Sequence, residues 1–169
     1  VEKIDTHGGS IRVYIEKNQM KINPSVKDYI SEETSFGIET SFVFREFKNQ
    51  IEKSKINVLR NIRKIKKSSG KIAGYAAPAK ASTKLNYYGI DSNLIEFIVE
   101  DNPLKHNKII PGVNIPIYNI DYLIEKDIKV VIVLAWNFFD YIVDKNKSLI
   151  EKGFRFISIK ELEDKNFNF

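Results

Sequence analysis

The apolar positions in the second half of the chain fall into short continuous runs, and segments with helical spacing separate these runs. The apolar runs predict strands at residues 71–75, 95–100, 129–134 and 154–157. The segments between them predict helices at 79–88, 119–126 and 138–151, and a long loop at 101–116. Because strands and helices alternate, the pattern predicts an α/β fold: a Rossmann-like parallel sheet with flanking helices.

The residues before position 71 follow a different pattern. Residues 6–10 predict a turn, and residues 11–15 alternate in polarity as a strand does. Two helices follow, one from Pro24 to about residue 33 and one from near residue 40 to Lys67. We therefore expect three parts, namely the last strand and turn of a preceding domain at 1–24, a helical linker at 25–69 and the Rossmann-like domain at 70–169.

Composition narrows the class of protein. A chain of 169 residues, 43% of them hydrophobic and 29% charged, can bury one full core. It has no cysteine, which excludes disulfides, thiolate zinc sites and a cysteine nucleophile within it. Its two histidines, His7 and His106, are far apart in sequence, so we expect no metal site.

The start of the chain and its apolar runs bear on localisation. No run approaches the ~20 residues of a membrane span, and no signal peptide opens the sequence. We therefore expect a cytoplasmic protein with no membrane partner. The first residue, Val1, is not methionine, and we expect a fragment of a longer or processed protein.

The net charge of +5 is unevenly distributed. Ten Lys and Arg residues lie between Arg45 and Lys71, against only Glu46 and Glu52. A nucleic-acid patch and the solvated face of a long helix both fit this charge. The helix would carry an apolar stripe formed by Ile51, Ile56, Leu59, Ile62 and Ile65. No aromatic residue is interleaved with the charges after Ile51, so we favour the helix face and expect no nucleic-acid partner.

A candidate anion site lies where the first strand of the α/β pattern ends. The run from Gly74 through Tyr75 to Pro78 joins a strand to a helix, and such turns present backbone N–H groups and a helix N-terminus to phosphates. Pro78 suits the first turn of a helix. Lys80 would add a positive charge and Thr83 a hydroxyl group. The turn does not match GxGxxG, because Ala76 and Ala81 stand where glycines are expected, and no P-loop motif occurs.

Other candidates follow the later strands. Asp101, with Asn102 beside it, is placed to bond a ribose hydroxyl, although Asp-Asn-Pro is also ordinary turn chemistry. Trp136 is placed either to stack on a base or sugar or to fill the core. Lys105 and Lys108, in the long loop, would either meet phosphate or remain surface charges.

Two further motifs suggest catalysis. Tyr122 with Lys126 and Tyr141 with Lys145 match the YxxxK spacing of some dehydrogenases, but chance matches are expected in a chain this rich in Tyr and Lys. His7 is the best candidate for a general base, with Asp5 as its nearest acid, although a turn histidine explains it as well.

Segments at 6–14, 74–87 and 101–117 together resemble the C-terminal region of the S-adenosylmethionine-dependent sugar C-methyltransferases, which act on nucleotide-linked deoxysugars. The resemblance rests on Thr6-His7-Gly8-Gly9-Ser10, Gly74-Tyr75-Ala76-Ala77-Pro78-Ala79-Lys80, Asp101-Asn102-Pro103-Leu104-Lys105 and Leu134-Ala135-Trp136-Asn137-Phe138. It implies a parent with a zinc-binding N-terminal domain, a middle domain that binds S-adenosylmethionine, and this chain after them. The family usually has glycine where Ala76 and Ala81 stand.

The resemblance also implies roles for individual residues. His7 would border the active-site cleft as a catalytic or substrate-side residue. The residues expected to bind the nucleotide-sugar substrate are Gly74, Tyr75, Pro78, Ala79, Lys80, Thr83, Asn86, Asp101, Asn102, Lys105, Pro111, Gly112, Trp136 and Asn137.

The same resemblance implies the division of labour in the parent. The parent would deprotonate a carbon beside a sugar ketone and transfer a methyl group from S-adenosylmethionine to that carbon. Zinc and most contacts to S-adenosylmethionine would lie outside this chain, in the two preceding domains. Those two domains would be the partners of this chain. The residues alone leave two alternatives open, namely a nucleotide- or NAD-binding Rossmann module and a structural Rossmann duplicate without a ligand.

Overall fold

The computed structural model describes residues 1–17 and 21–169, without the side chain of His7. The chain forms two compact units, Val1–Glu52 and Lys53–Phe169. The expected borders after residues 24 and 69 stay predictions. No helix in the described part of the chain is long and apolar enough to cross a membrane.

The first unit contains a small hairpin and helical segments. Strands β1 (Glu2–Ile4) and β2 (Ser10–Arg12) pair antiparallel around a 3-10 turn at Thr6–Gly8. The strand predicted at 11–15 is therefore shorter and begins one residue earlier. Helix α1 (Pro24–Phe36) begins at the predicted proline and continues three residues past the predicted end, to a left-handed Gly37.

Helix α2 (Ser41–Ser69) begins in the first unit and continues into the second. Its buried positions Val58, Ile62 and Ile65 follow the spacing of one helix face. The predicted stripe is wrong at Ile56, which is 61% exposed. The reason is geometric, because a position two residues before Val58 lies on nearly the opposite side of the helix.

A six-stranded sheet forms the centre of the second unit. Its strands are β3 (Ile72–Tyr75), β4 (Ile98–Val99), β5 (Ile109–Ile110), β6 (Ile115–Tyr118), β7 (Val130–Val133) and β8 (Arg155–Ser158). Their order is β5-β6-β4-β3-β7-β8, and only β5 is antiparallel to its neighbour. The five parallel strands thus follow the third-second-first-fourth-fifth order, which is the Rossmann order without its sixth strand and confirms the predicted fold class.

The remaining helices lie between the parallel strands. They are α3 (Ala79–Tyr88), α4 (Asp121–Glu125), α5 (Phe139–Lys145) and α6 (Lys147–Glu151). Helix α3 has the predicted bounds. The single helix predicted at 138–151 is wrong, because a 3-10 turn precedes α5 and Asn146 separates α5 from α6. The buried Asn146 amide donates to the Ile142 carbonyl and to the Tyr75 hydroxyl instead of facing solvent.

The predicted loop at 101–116 is also wrong, because its second half forms a hairpin. Strands β5 and β6 pair antiparallel, and β6 then adds to the parallel sheet beside β4. The chain reverses between them through Gly112 and Asn114, both at positive φ. In contrast, the strand predicted at 95–100 shortens to the two residues of β4.

The core lies on both faces of the sheet, as a parallel sheet requires. Alternate strand residues such as Ala73, Tyr75 and Val131 pack in one cluster with Leu123 of α4 and Ile142 of α5. The intervening strand residues are equally buried and turn toward the opposite face. Buried residues of α2 and α3 supply the cover on that side, and a hydrogen bond of 2.7 Å between Ser54 and Tyr88 joins the two helices.

Helix α2 also holds the C-terminal segment of the chain. The side-chain amide of Asn61 donates to the carbonyl oxygens of Leu162 and Asp164, at 3.0 and 2.9 Å. One turn earlier, Asn57 donates to the carbonyl of Glu163 at 2.8 Å. Because these residues share one helix face, the helix satisfies carbonyls of a segment that has little regular structure.

We expect Asn61→Ala to lower the free energy of unfolding by about 2–3 kcal/mol, because Asn61 is 2% exposed and its removal leaves two carbonyls without their donor. Urea unfolding checks this. Asn49→Ala, on the exposed surface of the same helix, is the matched control and should change stability by less than ~0.5 kcal/mol. Equal effects of the two substitutions would contradict the role given to Asn61.

Candidate functional site

The carboxyl ends of the parallel strands bring most of the predicted site residues to one edge of the sheet. Strands β3 and β7 are neighbours, and the chain leaves them toward opposite sides. In open α/β sheets such a reversal of strand order marks the crevice where ligands bind. Around it lie the β3–α3 turn (Ala76–Pro78), the end of β4 (Glu100–Asn102) and the segment after β7 (Ala135–Asn137).

The β3–α3 turn has the expected shape, but the backbone N–H of Ala77 in this turn already has a hydrogen-bond partner within the chain. The carboxylate of Glu100 accepts hydrogen bonds from the backbone N–H of Ala77 at 2.8 Å and from that of Asn102 at 3.1 Å. Lys105 binds the same carboxylate at 3.1 Å and also donates to the Ala77 carbonyl at 3.1 Å. The chain thus supplies its own anion to this turn.

The environment of Glu100 favours its charged form. Its side chain is only 10% exposed, and burial by itself would raise the pKa of the carboxyl group. Hydrogen bonds from the Ala77 and Asn102 amides and from Lys105 outweigh burial and hold the pKa below its ordinary value. Glu100 is therefore a carboxylate at neutral pH.

Two alanines in this region differ in their effect on the site. Ala76 has a φ of +69°, a left-handed conformation that costs a residue with a side chain about 1–2 kcal/mol relative to glycine. Ala81, in contrast, lies in the buried side of α3 and is 1% exposed. Only Ala76 therefore places its methyl group in the turn, and Ala81 contributes to the core.

A second network joins the ends of β3 and β4 to α5. The hydroxyl of Tyr75 donates to the Asp101 carboxylate, whose two oxygens lie 2.9 and 3.0 Å away. Lys145 forms an ion pair with Asp101 at 2.8 Å, and the Asn146 amide donates to the Tyr75 oxygen at 3.3 Å. Burial of the hydroxyl and its bond to Asp101 raise the pKa of Tyr75 to about 12, so it remains a donor. Asp101, expected to bind ribose, is thus held by two partners within the chain.

We call the cationic region beside β7 the Trp136 surface, defined by Lys80, Lys84 and Trp136. The ammonium groups of Lys80 and Lys84 lie 5.9 and 4.8 Å from the centre of a Trp136 ring. Lys84 also forms an ion pair with Glu163. The half-exposed Trp136 is therefore neither a core residue nor a bare stacking platform, because cations lie over its ring. Asn137 is exposed beside it.

A groove of about 430 Å³ lies on the other side of the start of α3. We call it the α3–hairpin groove, and its walls include Pro78, Ala79, Thr83, Lys105, Lys108 and Pro111. At one end, the side chain of Asn86 donates to the carbonyl oxygens of Ser82 and Pro111, at 2.8 and 2.9 Å. Gly112 leaves room for this contact, because a Cβ there would come within 2.0 Å of the Asn86 oxygen.

Two predicted site residues lie elsewhere. Gly74 is buried within β3, where a Cβ would come within 2.8 Å of Ile98, so its missing side chain permits strand packing. His7 belongs to the 3-10 turn of the first unit, and its side chain lies outside the described residues. A catalytic or substrate-side role for His7 therefore stays a prediction.

Sequence reasoning placed Glu100 at the crevice without a specific role, and it gave Lys145 and Asn146 no place in the site. The position of Glu100 at the end of a predicted strand was the available signal, but the ligand-binding role was assigned to the next residue, Asp101. Lys145 was considered only as part of a YxxxK match, yet its partner is Asp101. Within the described residues, no group of three or more His, Cys, Asp or Glu side chains is arranged to hold a metal ion.

Comparison with known proteins identifies the family. Residues 5–159 match the family described as the C-methyltransferase C-terminal domain. The chain is 33% identical over 159 residues to C-methyltransferase NovU of Streptomyces niveus, an alignment that covers 93% of this chain and 38% of that protein. The chain therefore spans less than two fifths of the length of this curated relative. It belongs to the C-methyltransferase C-terminal domain family, as the resemblance predicted.

We expect Glu100→Gln to lower the free energy of unfolding by about 1–3 kcal/mol at neutral pH, because the glutamine cannot reproduce the charged contacts. The folded-state pKa lies below the ordinary 4.5, so this contribution is complete above that value and is lost as the pH falls through the folded-state pKa. Denaturant unfolding at neutral and acidic pH should therefore give a difference that shrinks in acid. The exposed Glu125→Gln is the control, and a difference independent of pH would contradict a role for the charge.

We expect Gly112→Ala to destabilise the second unit by about 1 kcal/mol more than Gly153→Ala. The φ of Gly112 is +84° and that of Gly153 is +86°, so both substitutions carry a similar backbone cost. Only the methyl group at position 112 displaces Asn86 and its two hydrogen bonds, since nothing lies within 4 Å of a Cβ at Gly153. Thermal unfolding of both variants measures the difference, and equal losses would show that the Asn86 contact adds no stability.

Proposed function

We propose that this chain is the C-terminal part of a C-methyltransferase that acts on a nucleotide-linked deoxysugar. In this proposal the chain contributes to the substrate cleft or to assembly of the parent and does not catalyse methyl transfer alone. The observation that carries the proposal is the grouping of four lysines around the start of α3. Lys80 and Lys84 belong to the Trp136 surface, and Lys105 and Lys108 line the α3–hairpin groove. Positive charge beside a carboxyl-edge crevice favours an anionic ligand such as a diphosphate.

The residues of this chain support a binding role more than a catalytic one. Deprotonation of a carbon beside a ketone requires a base that can reach the substrate. One ring nitrogen of His106 is 2.7 Å from the Glu100 carbonyl oxygen, which ties this imidazole to the backbone. Glu100 and Asp101 are held by lysines and by hydrogen bonds from other groups. We therefore place the base of the parent outside the second unit.

The β3–α3 turn does not fit S-adenosylmethionine as the methyl donor. A Rossmann site for an adenosine cofactor needs a close backbone approach at the first turn and a free acid at the end of the second strand. Here Ala76 carries a methyl group in the turn, Glu100 occupies the Ala77 amide, and Lys145 holds Asp101. We propose that the parent binds this cofactor, and its zinc, mainly through residues outside this chain.

The first unit supports a role in assembly. Helix α1 has no buried residue, and large apolar side chains are exposed around the junction of α1 and α2. Phe36, Phe42, Phe44 and Phe47 are each at least 57% exposed. Exposed apolar surface of this extent marks a place where another protein surface packs. We propose that the preceding domains of the same parent cover it.

A structural role without a ligand is the second candidate function. Its support is the Glu100 carboxylate, which satisfies the amide that a phosphate would otherwise bind in the β3–α3 turn. An NAD-binding module finds less support, because the same carboxylate and the methyl group of Ala76 obstruct a pyrophosphate there.

A thermal-shift comparison of TDP-glucose, NAD and S-adenosylmethionine tests the proposal. A ligand at about 100 times its dissociation constant stabilises the folded chain by roughly 2.7 kcal/mol, which raises Tm by about 5–11 °C for a chain of this size. We expect a rise with TDP-glucose only. A rise with NAD alone would favour the NAD-binding alternative, and the absence of any rise would favour the structural role.

A further inference from the structure

The β3–α3 turn has the shape of a phosphate site, yet its charge is wrong for a phosphate. The Glu100 carboxylate is bonded to the Ala77 amide at 2.8 Å, and its side chain is nine-tenths buried. A phosphate bound to the same amide would have to displace this carboxylate or lie against it. Because both are anions and little water screens them, the turn repels the group that its shape would attract.

The α3–hairpin groove begins beside this turn and has the opposite character. Lys105 uses two of its three ammonium hydrogens for Glu100 and the Ala77 carbonyl, which leaves one for a ligand in the groove. Lys108 lines the same groove, and among the described residues its ammonium group has no hydrogen-bond or ion-pair partner. The buried Ile110 and Ile117 give the groove an apolar wall, and the hydroxyl of Thr83 adds a polar group.

Glu100 also fixes the lysine that the groove needs. Its carboxylate binds Lys105 at 3.1 Å and keeps that ammonium group at the junction of the turn and the groove. The carboxylate therefore blocks the turn and positions a cation beside it. This arrangement directs an anionic ligand away from the turn and toward the groove.

We propose that the phosphate groups of the ligand bind in the α3–hairpin groove, at Lys108 and Lys105, and not on the β3–α3 turn. This inference rests on the proposed function, since it assumes a nucleotide-linked ligand. The groove has a volume of about 430 Å³, which falls within the range of small-molecule sites. Its two lysines meet the phosphates, and its apolar wall faces the less polar part of the ligand.

Calorimetric titration of the chain with UDP and with uridine tests this assignment. We expect Lys108→Ala to weaken UDP binding roughly ten- to hundredfold, the loss of one hydrogen bond to a charged group. It should leave uridine binding unchanged, because uridine has no phosphate. Lys108 is exposed, and its side chain forms no hydrogen bond or ion pair with the described residues, so its substitution should leave the fold intact, which circular dichroism checks.

Two matched lysine variants complete the design. Lys80→Ala probes the Trp136 surface, and Lys152→Ala removes an exposed charge at the opposite, amino-terminal edge of the sheet. Lys152→Ala should change UDP affinity less than about twofold, and Lys80→Ala should weaken UDP binding less than Lys108→Ala does. Loss of affinity in Lys80→Ala but not in Lys108→Ala would overturn the assignment and leave the proposed function standing. If the unaltered chain binds neither UDP nor TDP-glucose, both the assignment and the proposed function are overturned.

Discussion

The hydrogen bonds of the Glu100 carboxylate connect the parts of the chain that form the candidate site. It binds the Ala77 amide after β3, the Asn102 amide after β4 and the ammonium group of Lys105. Strand β4 has only two residues, and backbone bonds from the Ala76 N–H to the Val99 carbonyl and from the Glu100 N–H to the Tyr118 carbonyl also hold its end. One buried charge therefore fixes the turn, the strand end and the start of the hairpin segment relative to one another.

The same interaction changes what a Rossmann-like edge can do. A turn with a free backbone N–H group binds phosphate. A turn whose N–H group is already bonded to a carboxylate of the same chain repels phosphate. In our proposal, the cations of the α3–hairpin groove then bind the phosphates of an anionic ligand. This arrangement supports the proposal that the chain contributes to the substrate cleft of its parent.

The sequence predicted features that depend on local chemistry. Pro78 and Gly89 mark the two ends of α3, and its predicted bounds are confirmed. The apolar run before Leu134 likewise predicted β7. The hairpin of β5 and β6 was not predicted, because Pro111 and Pro116 argue against strands. In the structure Pro116 nevertheless lies in β6, where it pairs with Ile109 of the edge strand β5.

The network around Glu100 was not predictable for another reason. The bond from the Ala77 amide to Glu100 joins residues that are 23 positions apart in sequence, and it forms only when β3 and β4 pair in the observed register. The bond from Tyr75 to Asp101 has the same origin. A single sequence predicts which residues follow each strand, but the partner of each carboxylate depends on tertiary packing.

The most direct test is an amide chemical-shift titration of the chain with TDP-glucose. If the carboxyl edge of the sheet binds nucleotide phosphates as we propose, the largest shifts will lie at residues 79–83 and 105–110, which border the α3–hairpin groove. Shifts centred near Lys152, at the opposite edge, or no saturable shifts at all, would contradict a nucleotide-binding role for this edge.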